Sequence, residues 1–242
     1  MSARSLHQAG WEVRLLLRNG EQLLLTFVIP VALLLGLGLT SLMPDAYGTD
    51  RVPQALATVL AVSVISAAFT SLAIATGFER RSGALRFLGT TPLSRVELLA
   101  GKGLATLAVT VLSSGAVAVT AFAIGWRPTA HALWVPVLIL LGTAAFAACG
   151  VALAGLFRAE AVLAIANGLF LVLILFGGVI IPASSLPGPL GALAPWLPSG
   201  ALADSLTGVL VDAHSPSIGA ILVLVGWAVV GTTVSARTFR WS

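Results

Sequence analysis

Six stretches of the chain run apolar for 20 residues or more: 23–42, 54–78, 103–126, 133–157, 161–181 and 217–236. None of them carries an Asp, Glu, Lys or Arg. At 1.5 Å of rise per residue, about 20 helical residues cross the roughly 30 Å of a bilayer's hydrocarbon core. The pattern predicts an all-α integral membrane protein, with six transmembrane helices in a single domain over 1–242. Pro30 and Pro136 lie near span ends, where a lost backbone hydrogen bond is best tolerated.

Residues 3–21 precede the first span. Leu6, Gly10, Val13 and Leu17 recur there at helical spacing, with Arg4, Gln8, Glu12 and Arg18 mostly elsewhere on the wheel. This predicts an amphipathic interfacial helix anchored by Trp11, with a solvated leader as the alternative. A cleaved signal peptide does not fit. The following apolar run exceeds the 7–15 residues of a signal core, and it lacks a small-residue cleavage site.

The longest polar interruption on its side of the membrane is 79–102, ERRSGALRFLGTTPLSRVELLAGK. The second span is expected to continue as a helix through Glu79, Arg80 and Arg81 and to break at Ser82-Gly83. Residues 84–88 form a turn or two, with Leu85 and Leu88 on one side and Arg86 on the other. Pro92 disfavours helix at Thr91. Ser94 and Glu97 then form a capping box that restarts a helix near Arg95, which enters the membrane near Gly103. The apolar side of 84–88 needs a surface: the headgroup region or another protein. A membrane-hugging loop is the remaining reading.

Charge sets the orientation. An even span count puts both termini on one side, together with the 79–102 and 158–160 loops. That side holds Arg4, Arg14, Arg18, Arg80, Arg81, Arg86, Arg95, Lys102, Arg158, Arg237 and Arg240, and the other side only Arg51 and Arg127. By the positive-inside rule the termini are cytoplasmic. The third outer connection, 182–216, is rich in Pro, Gly and Ser yet apolar at Leu186, Leu190, Leu193, Trp196, Leu197, Leu202, Leu206 and Val209. Its prolines forbid one continuous helix. It is expected to form two short helices tucked re-entrant-like into the outer leaflet, with Ser199 capping the second and Asp204 and Asp212 facing water. A plain surface loop is the alternative.

Composition agrees with a membrane class. Only 9% of residues are charged and 58% are hydrophobic, against about 25% charged in soluble domains. The net charge of +4 sits in loops flanking apolar runs, so it reads as orientation and not as a nucleic-acid surface. Cys149 is single, which excludes an intramolecular disulfide, and the histidines His7, His131 and His214 are scattered, so no metal cluster is expected. There is no G-x-x-x-x-G-K-[ST] phosphate loop. An ion-driven transporter usually keeps an ionisable group inside its bundle, and these spans have none. Force must therefore arrive from outside, with 79–102 as the handle. Asn167, mid-span, either faces a translocation path or makes an interhelical hydrogen bond. Ser63, Ser66, Thr70 and Ser71 either pack closely or line a path at a dimer seam. The candidate path residues are Ser66, Thr70, Asn167 and Phe170.

Residues 79–102 resemble the cytoplasmic loop of type-2 ABC exporter permeases. Glu79, Arg80, Gly83, Leu85, Leu88, Thr91, Pro92, Leu93, Ser94, Glu97, Leu98, Gly101 and Lys102 fit that pattern. A second match lies downstream, where Gly178, Pro182, Leu186, Pro187, Pro195 and Pro198 resemble the family's segment after span five. Both matches stand in register with the topology, and the subgroup is similar to daunorubicin-resistance-like permeases for drugs and antibiotics. The resemblance implies a transport subunit with no ATP site of its own, in the bacterial inner membrane. It would export an amphipathic or lipophilic small molecule from the cytoplasm or inner leaflet. It would pair with a second permease copy and bind a separate nucleotide-binding ATPase that holds ATP and Mg. Residues 84–88 would be the coupling helix. ATPase docking would fall to Glu79, Arg80, Arg81, Gly83, Leu85, Arg86, Leu88, Pro92 and Glu97. Arg81-Ser82 stands where many relatives carry an acidic residue, which bears on which ATPase is accepted. Lipid or polysaccharide export, and a membrane scaffold without transport, are the alternatives. An intramembrane enzyme fits poorly, because no span carries a catalytic Asp pair, Ser–His pair or HExxH.

Overall fold

Residues 3–18, 20, 24–40, 51–88 and 94–238 are described by a computed structural model, and among them there is no strand. The helices follow the apolar runs. They are α1 (Ala3–Arg18), α2 (π-helical over Leu24–Val28, then Ile29–Leu39), α3 (Arg51–Arg81), α4 (Ala84–Leu88) and α5 (Arg95–Ala123). After these come α6 (Val135–Leu156), α7 (Ala159–Phe176), α8 (Pro189–Leu193), α9 (Pro198–Leu210) and α10 (Ile218–Thr238).

Five of these have the length and apolarity to cross a membrane: α3, α5, α6 with the 3₁₀ turn before it, α7 and α10. The expected first span is shorter in its described part. Leu24 to Leu39 covers about 24 Å at 1.5 Å per residue, and residues 21–23 and 41–50 lie outside the described residues. The fifth span also ends early, at Phe176 instead of 181. Gly178 takes φ +79°, a left-handed turn that glycine adopts without strain. Gly177 is covered by Ser199, so the chain must leave the helix axis there.

The core lies around α3 and α6. Leu56, Leu60, Ile65, Leu138 and Phe146 are fully buried, and Phe69 meets Phe146 edge-on with ring centroids 6.5 Å apart. Small residues set the helix separations. A Cβ on Gly150 would lie 2.8 Å from the Phe69 carbonyl oxygen, and one on Gly231 would lie 2.8 Å from the Ala148 Cβ. Between membrane helices, where lipid tails are as apolar as leucine, such close approach supplies the attraction. Outward faces carry Val111, Leu112, Val119, Leu163, Leu222 and Val229, all exposed. An apolar exterior over a packed interior is what a lipid solvent requires.

Residues 182–216 do form two short helices, α8 and α9, with 3₁₀ turns at Ala183–Ser185 and Ala194–Trp196. Leu202, Leu206 and Val209 bury α9 against α3, α6 and α10, and Trp227 Nε1 donates to the Trp196 carbonyl at 2.9 Å. Asp204 and Asp212 are exposed, as expected. The expected Ser199 cap is not made. The helix starts at Pro198, whose fixed φ and missing N–H suit the first position. Ser199 is instead buried inside the first turn against Gly177.

Candidate functional site

Two regions draw the sequence-predicted residues together. They are the bundle end that carries Lys102, here called the basic end, and a cavity in the membrane-spanning part.

At the basic end α3 runs past Phe78 through Arg81 without interruption. Successive helical residues project about 100° apart, so Glu79, Arg80 and Arg81 reach three different neighbours. Glu79 turns inward, with Lys102 Nζ of α5 2.7 Å away, and Lys102 also lies 3.0 Å from Glu12 Oε1 of α1. Lys102 is 1% exposed. Two carboxylates around one buried ammonium tie α1, α3 and α5 together. Arg80 donates to the carbonyls of Gly155, at 3.3 Å, and Phe157. These are orphan acceptors at the C-terminus of α6, where a cation also meets the favourable end of the helix dipole. Arg81 pairs with Glu160 in the first turn of α7, both well exposed.

The chain then breaks as expected. Gly83 takes φ +79° and α4 follows, with the Phe87 N–H donating to the Gly83 carbonyl at 3.0 Å. Leu85 is fully buried beneath α4, while Arg86 and Phe87 face outward, Phe87 at 73% exposed. The Leu88 side chain and Pro92 lie outside the described residues. The capping box is present: Glu97 N–H donates to Ser94 Oγ at 3.2 Å, and Ser94 N–H donates to Glu97 Oε2 at 2.9 Å. Of the nine residues assigned to docking, Glu79 and Arg80 face neighbouring helices, Leu85 lies beneath α4, and Glu97 holds the cap. Arg86 is left on the outer surface, with Arg81 paired beside it.

Sequence reasoning missed three residues here. Phe87 was overlooked because a five-residue helix was assigned one apolar side through Leu85 and Leu88. Glu12 was read as part of the polar face of α1, whereas it turns toward Lys102. Lys102 itself was read as a positive-inside charge and as a residue of the family's loop pattern, not as the centre of an ion-pair cluster. The signal for the last two was a lysine with a glutamate on each of two elements expected at the same membrane face.

The cavity, about 610 Å³, lies between α2, α3, α5 and α7. Its walls are apolar, from Leu33, Val59 and Ile174 among others, and are studded with hydroxyls from Thr58, Ser63, Ser66, Ser71, Thr110 and Ser113. Both π-helical segments reach it, Leu24–Val28 through Thr26 and Ile65–Ser71 through Ser66 and Ser71. Such wide turns occur often at functional sites. Ser113 donates to the Thr26 carbonyl. Thr58, Ser63 and Thr110 have no hydrogen-bond partner among the described residues.

Of the candidate path residues, Ser66 and Phe170 line this cavity. Thr70 is buried nearby on α3, and its hydroxyl has no hydrogen-bond partner among the described residues. Asn167 does not join them. It is exposed on α7, and its side-chain amide donates to the Leu163 carbonyl of its own helix at 2.9 Å in place of the expected interhelical bond. Among the described residues no group of His, Cys, Asp and Glu is arranged to hold a metal.

A family model described as ABC-2 family transporter protein matches residues 40–237. The chain belongs to the ABC-2 transporter family. The match takes in α3 to α10 up to residue 237, and with them Glu79, Arg80, Arg81 and Lys102, the short helix α4 and the cavity wall formed by α3, α5 and α7. No curated protein matches the chain. As an ABC-2 family member with several membrane-spanning helices, it is a multi-pass membrane permease, and members of this family normally work with an ABC ATPase partner.

Proposed function

We propose that this ABC-2 permease is the transmembrane subunit of an ATP-driven exporter, with ATP hydrolysed by a separate subunit that seats on α4. The observation that carries this is the fan of Glu79, Arg80 and Arg81 onto α5, α6 and α7, directly before an outward-facing Arg86-Phe87 pair. A push on α4 reaches α5, α6 and α7 through a named polar contact each. In this reading the basic end is cytoplasmic, in a bacterial inner membrane, and α2 with its flanking residues completes six spans. Arg86, Phe87 and the Arg81–Glu160 edge meet the ATPase. Glu79, Arg80, Leu85 and Glu97 transmit its motion from within.

The cavity is the substrate path in this proposal. Apolar walls interspersed with serine and threonine residues suit an amphipathic or lipophilic small molecule, drug-like or antibiotic-like. A second copy facing the opening would enclose the path.

The test is the complex of this permease with its ATPase, reconstituted in nanodiscs and vesicles. Substrate-stimulated ATP hydrolysis and ATP-dependent movement of an amphipathic dye are expected, and both should fail with Phe87→Asp. A complex that forms but moves no substrate would instead favour a membrane scaffold.

A further inference from the structure

A pocket of about 280 Å³ lies at the end of the bundle opposite the basic end, between the first turn of α3, the turn that follows α7, and α9. From α9 it is lined by Gly200, Asp204, Thr207 and, just past the helix end, Val211. Residues three and four apart share a helix face, so α9 presents Asp204 and Thr207 to the same space. Gln54 of α3 lines it from the other side. Gln54 is 2% exposed, and it makes no side-chain hydrogen bond to a described residue. The Asp204 carboxylate and the Thr207 hydroxyl make none either. Asp212, at the rim, lies 3.9 Å from His214 Nε2. Neither Arg51 nor Arg127 lines the pocket. The large cavity is its neighbour: Thr58 of that cavity stands one turn after Gln54 on α3, and Ile180 stands two residues before the pocket's Pro182.

We propose that this pocket binds the primary ammonium group of an organic amine. An alkylammonium carries three N–H donors, while carboxylate, amide carbonyl and hydroxyl oxygens all accept. Asp204, Gln54 and Thr207 supply one acceptor of each kind, and Asp204 also supplies the opposite charge. Pro182 and Val211 give the adjoining carbons an apolar wall. A calcium ion fits this lining less well, because it takes about six to eight oxygen ligands, and among the described residues no group of His, Cys, Asp and Glu is arranged to hold a metal. The binding itself stands apart from the exporter reading. Only its consequence rests on that reading: a molecule in the path would meet this pocket at the far end, which favours cationic amphiphiles as cargo.

The test is a fluorine NMR titration of the full-length protein in nanodiscs with para-fluorophenethylamine, which is protonated at neutral pH, and with the uncharged para-fluorophenethyl alcohol of the same shape. Empty nanodiscs give the background of lipid binding. The wild type is expected to bind the amine above that background and to bind the alcohol at least about tenfold more weakly, as the loss of a charge-assisted hydrogen bond implies. Asp204→Asn, at an exposed position, should weaken the amine about tenfold and leave the alcohol unchanged. Gln54→Leu should weaken the amine about fivefold, and Thr207→Val provides the same comparison if Gln54→Leu does not accumulate. Amine binding no greater than in empty nanodiscs, equal binding of amine and alcohol, unchanged amine binding in Asp204→Asn, or displacement of the amine by stoichiometric calcium would each overturn the proposal. None of these readouts involves an ATPase, so failure here leaves the exporter reading standing, and failure of the exporter reading leaves the binding site intact.

Discussion

Lys102 Nζ lies 2.7 Å from the Glu79 carboxylate, with the lysine side chain sealed from solvent. Removing one member of a buried ion pair leaves a stranded charge and costs about 3–5 kcal/mol. Because both glutamates keep some exposure, Lys102→Met should fall near the lower limit, about 3 kcal/mol, seen as a lowered thermal midpoint in detergent. Adding Glu79→Gln should recover part of the loss. If the double variant were as unstable as the sum of the singles, the contact would not be energetically coupled.

Arg80 is predicted to separate binding from work. It hydrogen-bonds carbonyls at the C-terminus of α6 and does not face outward. Arg80→Ala should leave ATPase association within twofold or so, since surface affinity does not depend on it. Substrate movement should drop at least about tenfold, the equivalent of ~1.4 kcal/mol of lost coupling. Arg80→Lys should rescue poorly, because one ammonium cannot reproduce the guanidinium fork. Loss of association in a pull-down would move Arg80 to the docking surface.

Phe87 shows the opposite pattern. It is 73% exposed on α4. Exposed aromatics that seat in a partner's pocket commonly carry 2 kcal/mol or more of binding energy. Phe87→Ala is expected to weaken the ATPase complex by roughly thirtyfold in a titration, with the permease's melting temperature unchanged. Arg81→Ala, which removes an exposed pair worth about 0–1 kcal/mol, should have little effect on stability.

Glycines at helix crossings should be far less tolerant than glycines facing lipid. Gly150→Ala puts a methyl 2.8 Å from the Phe69 carbonyl oxygen, an overpacking expected to cost about 1–3 kcal/mol. Gly115→Ala meets nothing within 4 Å and should stabilise its helix by about 0.5–1 kcal/mol. Paired thermal melts of the two variants decide it, and equal midpoints would contradict the packing described.

Orientation can be read with single cysteines in a Cys149→Ser background. Ser184 and Arg86 are both exposed, at opposite ends of the bundle. Ser184→Cys should label with a membrane-impermeant maleimide on intact cells, and Arg86→Cys only after permeabilisation. The reverse pattern would overturn the proposed topology.

Local signals carried most of the fold. Uninterrupted apolar runs located the helices. Ser94 with Glu97, Gly83 and the prolines of 182–198 marked where they start and stop, because caps and breaks depend on residues three or four positions apart. Ser199 misled because a serine near a helix start resembles a cap, yet Pro198 and the packing against Gly177 decided the geometry. The inward turn of Glu12 and Glu79 toward Lys102 was invisible for a different reason. It depends on which elements meet across 90 residues of sequence, and polarity alone assigned those side chains to water. The π-helical stretches at Leu24–Val28 and Ile65–Ser71 had no sequence signature, since their wide turns reflect what packs against them. The cavity was half legible. Ser66 and Phe170 reached it, while Asn167, the most conspicuous polar residue, satisfied itself on its own helix.

The fan of contacts at Glu79, Arg80 and Arg81 has a mechanical consequence. With α5, α6 and α7 fastened to the last turn of α3, and α1 joined to α5 at Lys102, these helices at that end behave as a plate. Any displacement delivered to the plate must be absorbed farther along α3, where the regular hydrogen-bond ladder is already interrupted. Ile65–Ser71 is that joint, and it borders the cavity with Ser66 and Ser71. A stroke applied at the plate would thus be spent as a change in the cavity's shape.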